Sequence, residues 1–360
     1  MKKLIILFII VFCGTLNAQN ILRVNNGVLL NDSSAVPPNS FSNINDALQA
    51  ANPAGGDIIY LEPSTTNYGS IILEKPVTIV GNGYYLDGSS GNPDLQENTS
   101  DSRLLTIDLR DGSEGSRFVG LAVSNFTFTT ILSPTNITIE KCLIFGNITG
   151  SNNSSYSDVE IRKNFFFNTG NIFNRATITL TDIFVENNIF RSDVSSNSSN
   201  SSSNLVFRNN VASRPFLTGY YVANNIFTST SSLLSFTNCI IRNNIFASNQ
   251  SANVTVGPIS GPGGANNGNN LVSQPIASVI VDSGSSDGRY QLAPGSPAIG
   301  GGVDISGNKP DCGAFGGNDP YRLSGIPDIP TIYELTFPNG NSVPTGSPTL
   351  TIDLKTRSNN

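Results

Sequence analysis

The chain has 360 residues with 20 basic and 26 acidic side chains, a formal net charge of −6, no histidine and no tryptophan. The acidic balance excludes nucleic acid and anionic membrane surfaces as natural partners. Without histidine there is no imidazole for a general base, a serine or cysteine triad or the usual transition-metal site, and without tryptophan the largest sugar-stacking ring is missing.

Residues 1–18, MKKLIILFIIVFCGTLNA, join two lysines, an apolar run from Leu4 to Phe12 and Ala18 ahead of Gln19. The pattern reads as a secretory signal peptide, too short and wrongly flanked for a membrane span. Cys13 lacks the small residue directly before it that a lipoprotein signal needs, so a free exported protein is expected, extracellular, at the cell surface or periplasmic. Cleavage leaves 18 of the 20 basic side chains against 26 acidic ones. No second apolar run reaches the roughly 18 residues that cross a bilayer, so a soluble monomer is expected. Cys142, Cys239 and Cys312 remain, too few and too widely spaced for a disulfide framework.

Residues 19–56 read as an N-terminal cap. Ile44, Ala47, Leu48 and Ala51 recur at helical spacing, starting near Ser42 and stopping at Pro53 and the Gly55-Gly56 break. Such a short amphipathic helix would cover the open edge of a first coil. The stretches GSIILEKPVTIVGNGYYLDG and SRFVGLAVSNF read as early coils, and GSSGNPDLQENTSDSR between them as a loop leaving the coil.

From residue 137 an internal repeat dominates: ITIEKCLIF, VEIRKNFFF, IFVENNIF, LVFRNNVAS, YYVANNIF and CIIRNNIF. The shared anchor falls at Cys142, Asn164, Asn188, Asn210, Asn225 and Asn244, with steps of 22, 24, 22, 15 and 19 residues. Three residues before it stand Ile139, Ile161, Val185, Phe207, Val222 and Ile241, and two after it Ile144, Phe166, Phe190, Ala212, Phe227 and Phe246, two apolar columns that point inward. Glu140, Arg162, Glu186, Arg208, Ala223 and Arg242 form a column expected to face water, with opposite charges on neighbouring turns. Short strands recurring in this way describe a chain that makes one turn per repeat, with like residues stacked about 4.8 Å apart. The fold expected is an all-β parallel β-helix with coils over residues 57–285. The 15-residue step implies a pinched turn or a local shift of register.

Asparagine tolerates a left-handed corner, and its amide can bond the turns above and below. Asn164, Asn188, Asn210, Asn225 and Asn244 are therefore expected to form a structural ladder, since a ligand site would be local rather than repeated in every turn. Residues 192–204, SDVSSNSSNSSSN, read as a flexible loop replacing part of one coil. Residues 286–325 read as a closing segment. In the tail, 326–360, two alternating strand patterns flank PNGN and suit a β-hairpin docked on the last coil.

Three motifs resemble secreted right-handed parallel β-helix proteins of the pectin-lyase-like superfamily, of the type common in Bacteroidota. They are INDALQAANPAGGDIIYLEPSTTNYGSIILEKPVTIVGNG at the start, the RNNIF coils, and YQLAPGSPAIGGGVDISGNKPDCGAFGG at the end. Together they span about residues 41 to 317. The resemblance implies the right-handed coil, which parallel crossovers also favour. It also implies a range of polysaccharide lyases, glycosidases, esterases and proteins without assigned activity, among which the fold does not choose. Lyases of that group need a lysine or arginine base and usually calcium held by clustered carboxylates. Hydrolases need paired carboxylates. Neither set recurs here on adjacent turns.

The candidate binding residues are therefore few. Arg162, Lys163, Arg208 and Arg242, with Lys141, could meet an acidic polysaccharide or supply a lyase base, although Glu140 and Glu186 would offset their field. Asp87, Asp94 and Asp101, with Glu97, could gather around calcium, an ion that suits oxygen ligands from a loop, while the same residues also read as a solvated polar loop. Asp304, Asn308 and Asp311 offer a similar set that reads as a turn. Tyr220 falls in a core column, leaving Tyr221 as the ring a sugar could reach. The sequons Asn125-Phe126-Thr127 and Asn136-Ile137-Thr138 carry no functional weight in a bacterial chain. The expectation is a non-catalytic exported β-helix presenting a rigid face to polysaccharide. A polysaccharide lyase acting by β-elimination on uronate-containing glycan is the alternative.

Overall fold

The computed structural model describes residues 20–27, 38–87, 96–129, 134–168, 170–199, 201–231, 234–247, 254–256, 267–284, 286–338 and 350–359, with backbone alone at 254–256 and 267. The signal-peptide reading, Cys13 and Asp94 fall outside these residues.

Three parallel sheets wrap around one apolar core. The first holds twelve strands, from Ser40–Phe41 and Ile21–Val24 through Ile58–Leu61, Thr135–Glu140, Ser155–Arg162, Thr179–Glu186 and Ser203–Arg208 to Asn267–Gly268. The second runs from Ile71–Leu73 through Arg103–Leu109 and Ala122–Phe128 to Ile245–Phe246. The third stacks Gly170–Asn171, Val194–Ser196, Pro215–Thr218, Leu234–Thr237 and Val254–Val256. A parallel β-solenoid results. The last parallel bridge joins Ile245 to Leu271. The helix Ile44–Ala50 lies against the first strands, with Asn43 Oδ1 accepting from the Asn45 N–H at 2.8 Å and Ile44, Ala47 and Leu48 buried. No helix among the described residues is long and apolar enough to cross a membrane.

The register reproduces the repeat alignment. Ile139, Ile161, Val185, Phe207, Val222 and Ile241 pair in sequence and are all buried. Inside the second sheet, Phe166 stacks on Phe190 with ring centroids 4.4 Å apart, and Phe227 on Phe246 at 4.9 Å. The short step is a true pinch: Leu205 pairs with Tyr220 and Arg208 with Ala223, with no slip. Gly219 alone, at φ +80°, joins the strand Pro215–Thr218 to Tyr220–Ala223. In the coil before it, residues 197–199 and 201–202 lie at that corner.

The serine-rich stretch is not a loop outside the coil. Val194–Ser196 is a strand, the Ser196 hydroxyl meets the buried Tyr220 hydroxyl at 2.8 Å, and Ser202 Oγ accepts from the Leu180 N–H. Composition misled because the hydroxyls of Ser196, Ser199 and Ser202 find partners on neighbouring coils, which a serine-rich linker lacks.

The largest departure concerns the C-terminal segment, which runs back along the solenoid as a strap. Val303 O accepts from Asn224 Nδ2, Asp311 O from Asn209 Nδ2, and Ala314 O and Gly316 O from Asn187 Nδ2; Ser324 O accepts from the Tyr84 N–H. The strap covers an apolar stripe on the outer face of the second sheet, where Leu143, Phe165, Ile189, Val211, Ile226 and Ile245 pack against Val279, Tyr290, Ala298, Cys312, Ala314 and Tyr321. Gly83, at φ +96°, admits it closely, since a Cβ there would meet Ser324 O at 2.6 Å. The expected tail hairpin is present, but it does not dock on the last coil. The antiparallel pair Thr331–Thr336 and Asp353–Arg357 emerges beside the early coils, where Ile332 O accepts from the Glu97 N–H.

Candidate functional site

The six-residue charged column does not face water throughout. Glu140 is 2 % and Ala223 1 % exposed, because the strap and the neighbouring coils cover that corner. Glu140 is held by Arg117 and by Arg162 Nε at 2.9 Å, and Arg208 Nε meets Glu186 Oε1 at 2.7 Å. The Lys163 ammonium pairs with Asp319 of the strap, and buried Lys141 with Asp328 at 2.7 Å. Burial alone would raise the Asp328 carboxyl, but Lys141, Arg322 and Lys163 hold it below the usual carboxylate range. Arg242 is exposed on a later turn. The four expected binding residues thus lie along one corner, and Arg162, Lys163 and Arg208 take part in ion pairs there. Where the strap crosses them a gap of about 140 Å³ remains, lined by Glu186, Arg208, Asn209, Asp304 and Asp319 among others.

Of the acidic positions, Asp94 lies outside the described residues. Asp87 is exposed and Asp101 half-buried, and no group of three carboxylate or cysteine side chains at metal-binding spacing occurs among the described residues. Asp304 Oδ1 accepts from the Ser306 and Asn308 N–H groups and its Oδ2 from Asn308 Nδ2. Asp311 Oδ1 accepts from the Gly300 N–H. The three cysteines are free and buried; burial pushes the Cys142 and Cys312 thiols up to about 12 and Cys239 to about 11, so none supplies a thiolate at neutral pH.

The asparagine pairs divide their work. The first member takes the left-handed corner, at φ +54° for Asn187, +53° for Asn209, +57° for Asn224 and +54° for Asn243, with Lys141 and Lys163 in the same role. The second turns inward. Asn188 Oδ1 accepts from the backbone N–H and Nδ2 of Asn164, Asn210 serves Asn188, Asn225 serves Asn210, and Asn244 serves Asn225, each at 2.8–3.1 Å. The series runs on to Asn270, and Cys142 begins it by donating its N–H to Asn164 Oδ1. All five side chains are fully buried, leaving none for a ligand.

The turn that breaks the repeat makes a concave site. The two coils before the pinch carry an extra corner, at 173–178 in one and at 197–199 with 201–202 in the next, and the pinched coil omits it. The wider coil overhangs the narrower one, and the ledge encloses a cleft of about 480 Å³ lined by Asn174, Ser195, Ser198, Phe216, Thr218, Ser235 and neighbours. On the outer face of the third sheet Asn171, Ser195, Phe216 and Ser235 stand in register. Upstream, this column is a second asparagine ladder, in which Asn171 Nδ2 donates to Asn147 Oδ1 at 2.9 Å and the Asn147 N–H to Asn125 Oδ1 at 3.0 Å. The 22- and 24-residue spacing of Asn125, Asn147 and Asn171 was the signal for it. Ser198 is 4 % exposed, and its hydroxyl has no hydrogen-bond partner among the described residues. Arg214 lies at the rim, its guanidinium bonded by Nε to both Asp193 oxygens at 3.0 Å and 5.8 Å over the Phe216 ring. A shallower groove of about 310 Å³, lined by Thr127, Thr149, Asn152 and Arg175 among others, lies nearer the early coils.

No protein-family model matches the chain, and no curated protein is significantly similar to it.

Proposed function

We propose that this protein is an exported, monomeric, non-catalytic β-solenoid of the pectin-lyase-like kind that binds polysaccharide on its third-sheet face. The carrying observation is the contrast in chemistry between that face and the corner. Arg162, Lys163 and Arg208 are engaged with Glu140, Asp319 and Glu186, whereas the third sheet presents a cleft of hydroxyls, amides and one aromatic ring. Hydroxyl and amide groups exchange hydrogen bonds with sugar hydroxyls, and a phenyl ring offers its face to the apolar side of a pyranose. Among the described residues, the cleft lining holds no carboxylate pair for glycoside hydrolysis and no amine or guanidinium for proton abstraction.

The test incubates the protein without its leader with pectins, alginates and glycosaminoglycans, with and without calcium, and follows the absorbance of new unsaturated ends. The expected outcome is no new absorbance together with retention on a glycan array. Unsaturated ends from any substrate would establish the lyase instead, with a base among Arg162, Lys163, Arg208 and Arg242 and calcium on Asp87, Asp94 and Asp101.

A further inference from the structure

Within the polysaccharide-binding reading, on which this step rests, the ligand class is set by the ledge cleft. We infer that the cleft seats an uncharged pyranose of a neutral polysaccharide, with Phe216 as its platform and Ser198 as a polar contact, and that it disfavours uronates. Three observations carry this. The cleft volume, about 480 Å³, lies within the roughly 300–1,000 Å³ of small-ligand sites. Its lining has no charged side chain. Of the flanking cations, Arg214 is tied to Asp193 through Nε and Nη2, and Arg175, between the lining residues Asn174 and Ala176, donates from Nη1 to Asn152 Oδ1. A carboxylate entering the cleft would lose water and gain no counter-charge, whereas a hydroxyl would lose water and gain partners.

The Ser198 hydroxyl adds a separate pointer. Other hydroxyls of this corner are matched, Ser196 with Tyr220 and the half-buried Ser199 with Thr179, but that of buried Ser198 has no partner among the described residues. It sits near the start of the extra corner of the wide coil, lining the cleft with Phe216 and Ser235. Phe216 is the other anomaly. Its column reads amide, hydroxyl, ring, hydroxyl over Asn171, Ser195, Phe216 and Ser235, so the single apolar member of an outward row stands inside the cleft.

Calorimetric titration of the purified protein with neutral β-1,4-linked tetrasaccharides of glucose, mannose and xylose, and with tetragalacturonate, tests the inference. At least one neutral ligand should bind tenfold or more tightly than the uronate. Phe216→Ala should weaken it at least tenfold and Ser198→Ala about threefold, with unchanged thermal midpoints. Ser235→Arg, which brings a cation into the cleft, should raise uronate affinity, and Tyr221→Ala on the first sheet should change nothing. Equal or tighter binding of tetragalacturonate by the unaltered protein would overturn the ligand class. Neutral binding indifferent to both Phe216→Ala and Ser198→Ala would overturn the site while leaving polysaccharide binding standing. No binding of any glycan here or on the array would remove the parent reading, and this one with it.

Discussion

The outer faces of the second and third sheets are built by the same repeat and end in opposite ways. On the second, every outward residue next to the ladder is apolar, from Leu143 to Ile245, and the C-terminal strap buries it. On the third, the outward column is amide, hydroxyl and ring, and it stays open. One periodic chain therefore makes one covered face and one open face. What differs is a single column of side chains, and the strap follows from it, because an uncovered apolar stripe of that length would invite association.

The largest expected effect lies on the shared interior. Asn210→Ala removes the acceptor of the Asn188 N–H and Nδ2 and the donor to Val185 O and Asn225 Oδ1, all in buried surroundings. With two or more backbone groups left unpaired, the loss should be about 4 kcal/mol, read as a drop in the urea midpoint. A change below 1 kcal/mol would mean that the ladder is ornamental.

The same truncation on each face separates them next. Phe165 is buried under the strap, its ring centroid 5.7 Å from that of Tyr85 and 6.2 Å from that of Tyr290. Phe165→Ala should cost about 3 kcal/mol through lost burial and the cavity left behind. Phe216→Ala, on the open face, should cost less than about 0.5 kcal/mol. Equal losses would erase the distinction between a covered and an open face.

How much of this was legible in the sequence follows from where periodicity ends. The inward columns, the cap helix and the 15-residue step could be read because each rests on local spacing. The cover could have been suspected: in NNIF both the isoleucine and the phenylalanine are apolar, and a strand with two apolar faces is buried on both. Its partner could not, because the strap is a run of glycine, proline and aspartate with no period, placed by long-range contacts such as Lys163 to Asp319. The charged column misled for the same reason. Alternating Glu and Arg did predict neighbours that pair, but not the strap that buries Glu140. The cleft was hidden in the step, since a missing corner shows only as a length until its neighbours are placed.

The strap's electrostatic clasp gives a smaller effect. Asp328→Asn leaves the buried Lys141 ammonium without its carboxylate, which in a fully buried pair costs several kcal/mol. Asp328 is half exposed, so about 1–2 kcal/mol is expected. Its folded carboxyl is held below the usual range, so the stabilisation is complete above the unfolded value near pH 4 and is lost as pH falls through the folded one. The gap between wild-type and Asp328→Asn urea midpoints should therefore close below about pH 4. A gap independent of pH would exclude the ion pair as its cause.

The smallest effect concerns the residue that creates the open face's cleft. Gly219 replaces a whole corner at φ +80°, and on other turns its place is held by Asn136, Asp158, Asp182, Asn204 and Asn238 at φ from +51° to +56°. A Cβ at Gly219 would have only Leu205 Cδ1 within 4 Å, at 3.7 Å, so space is available and backbone preference alone decides. Gly219→Asn should then stay within about 0.5 kcal/mol of the wild type, since asparagine accepts this conformation and loses less chain entropy on folding than glycine. Gly219→Val should cost about 1–2 kcal/mol or more, because a β-branched residue resists it. If Asn were as damaging as Val, the pinch would depend on the missing side chain rather than on the left-handed turn, and the ledge above it would owe its shape to crowding.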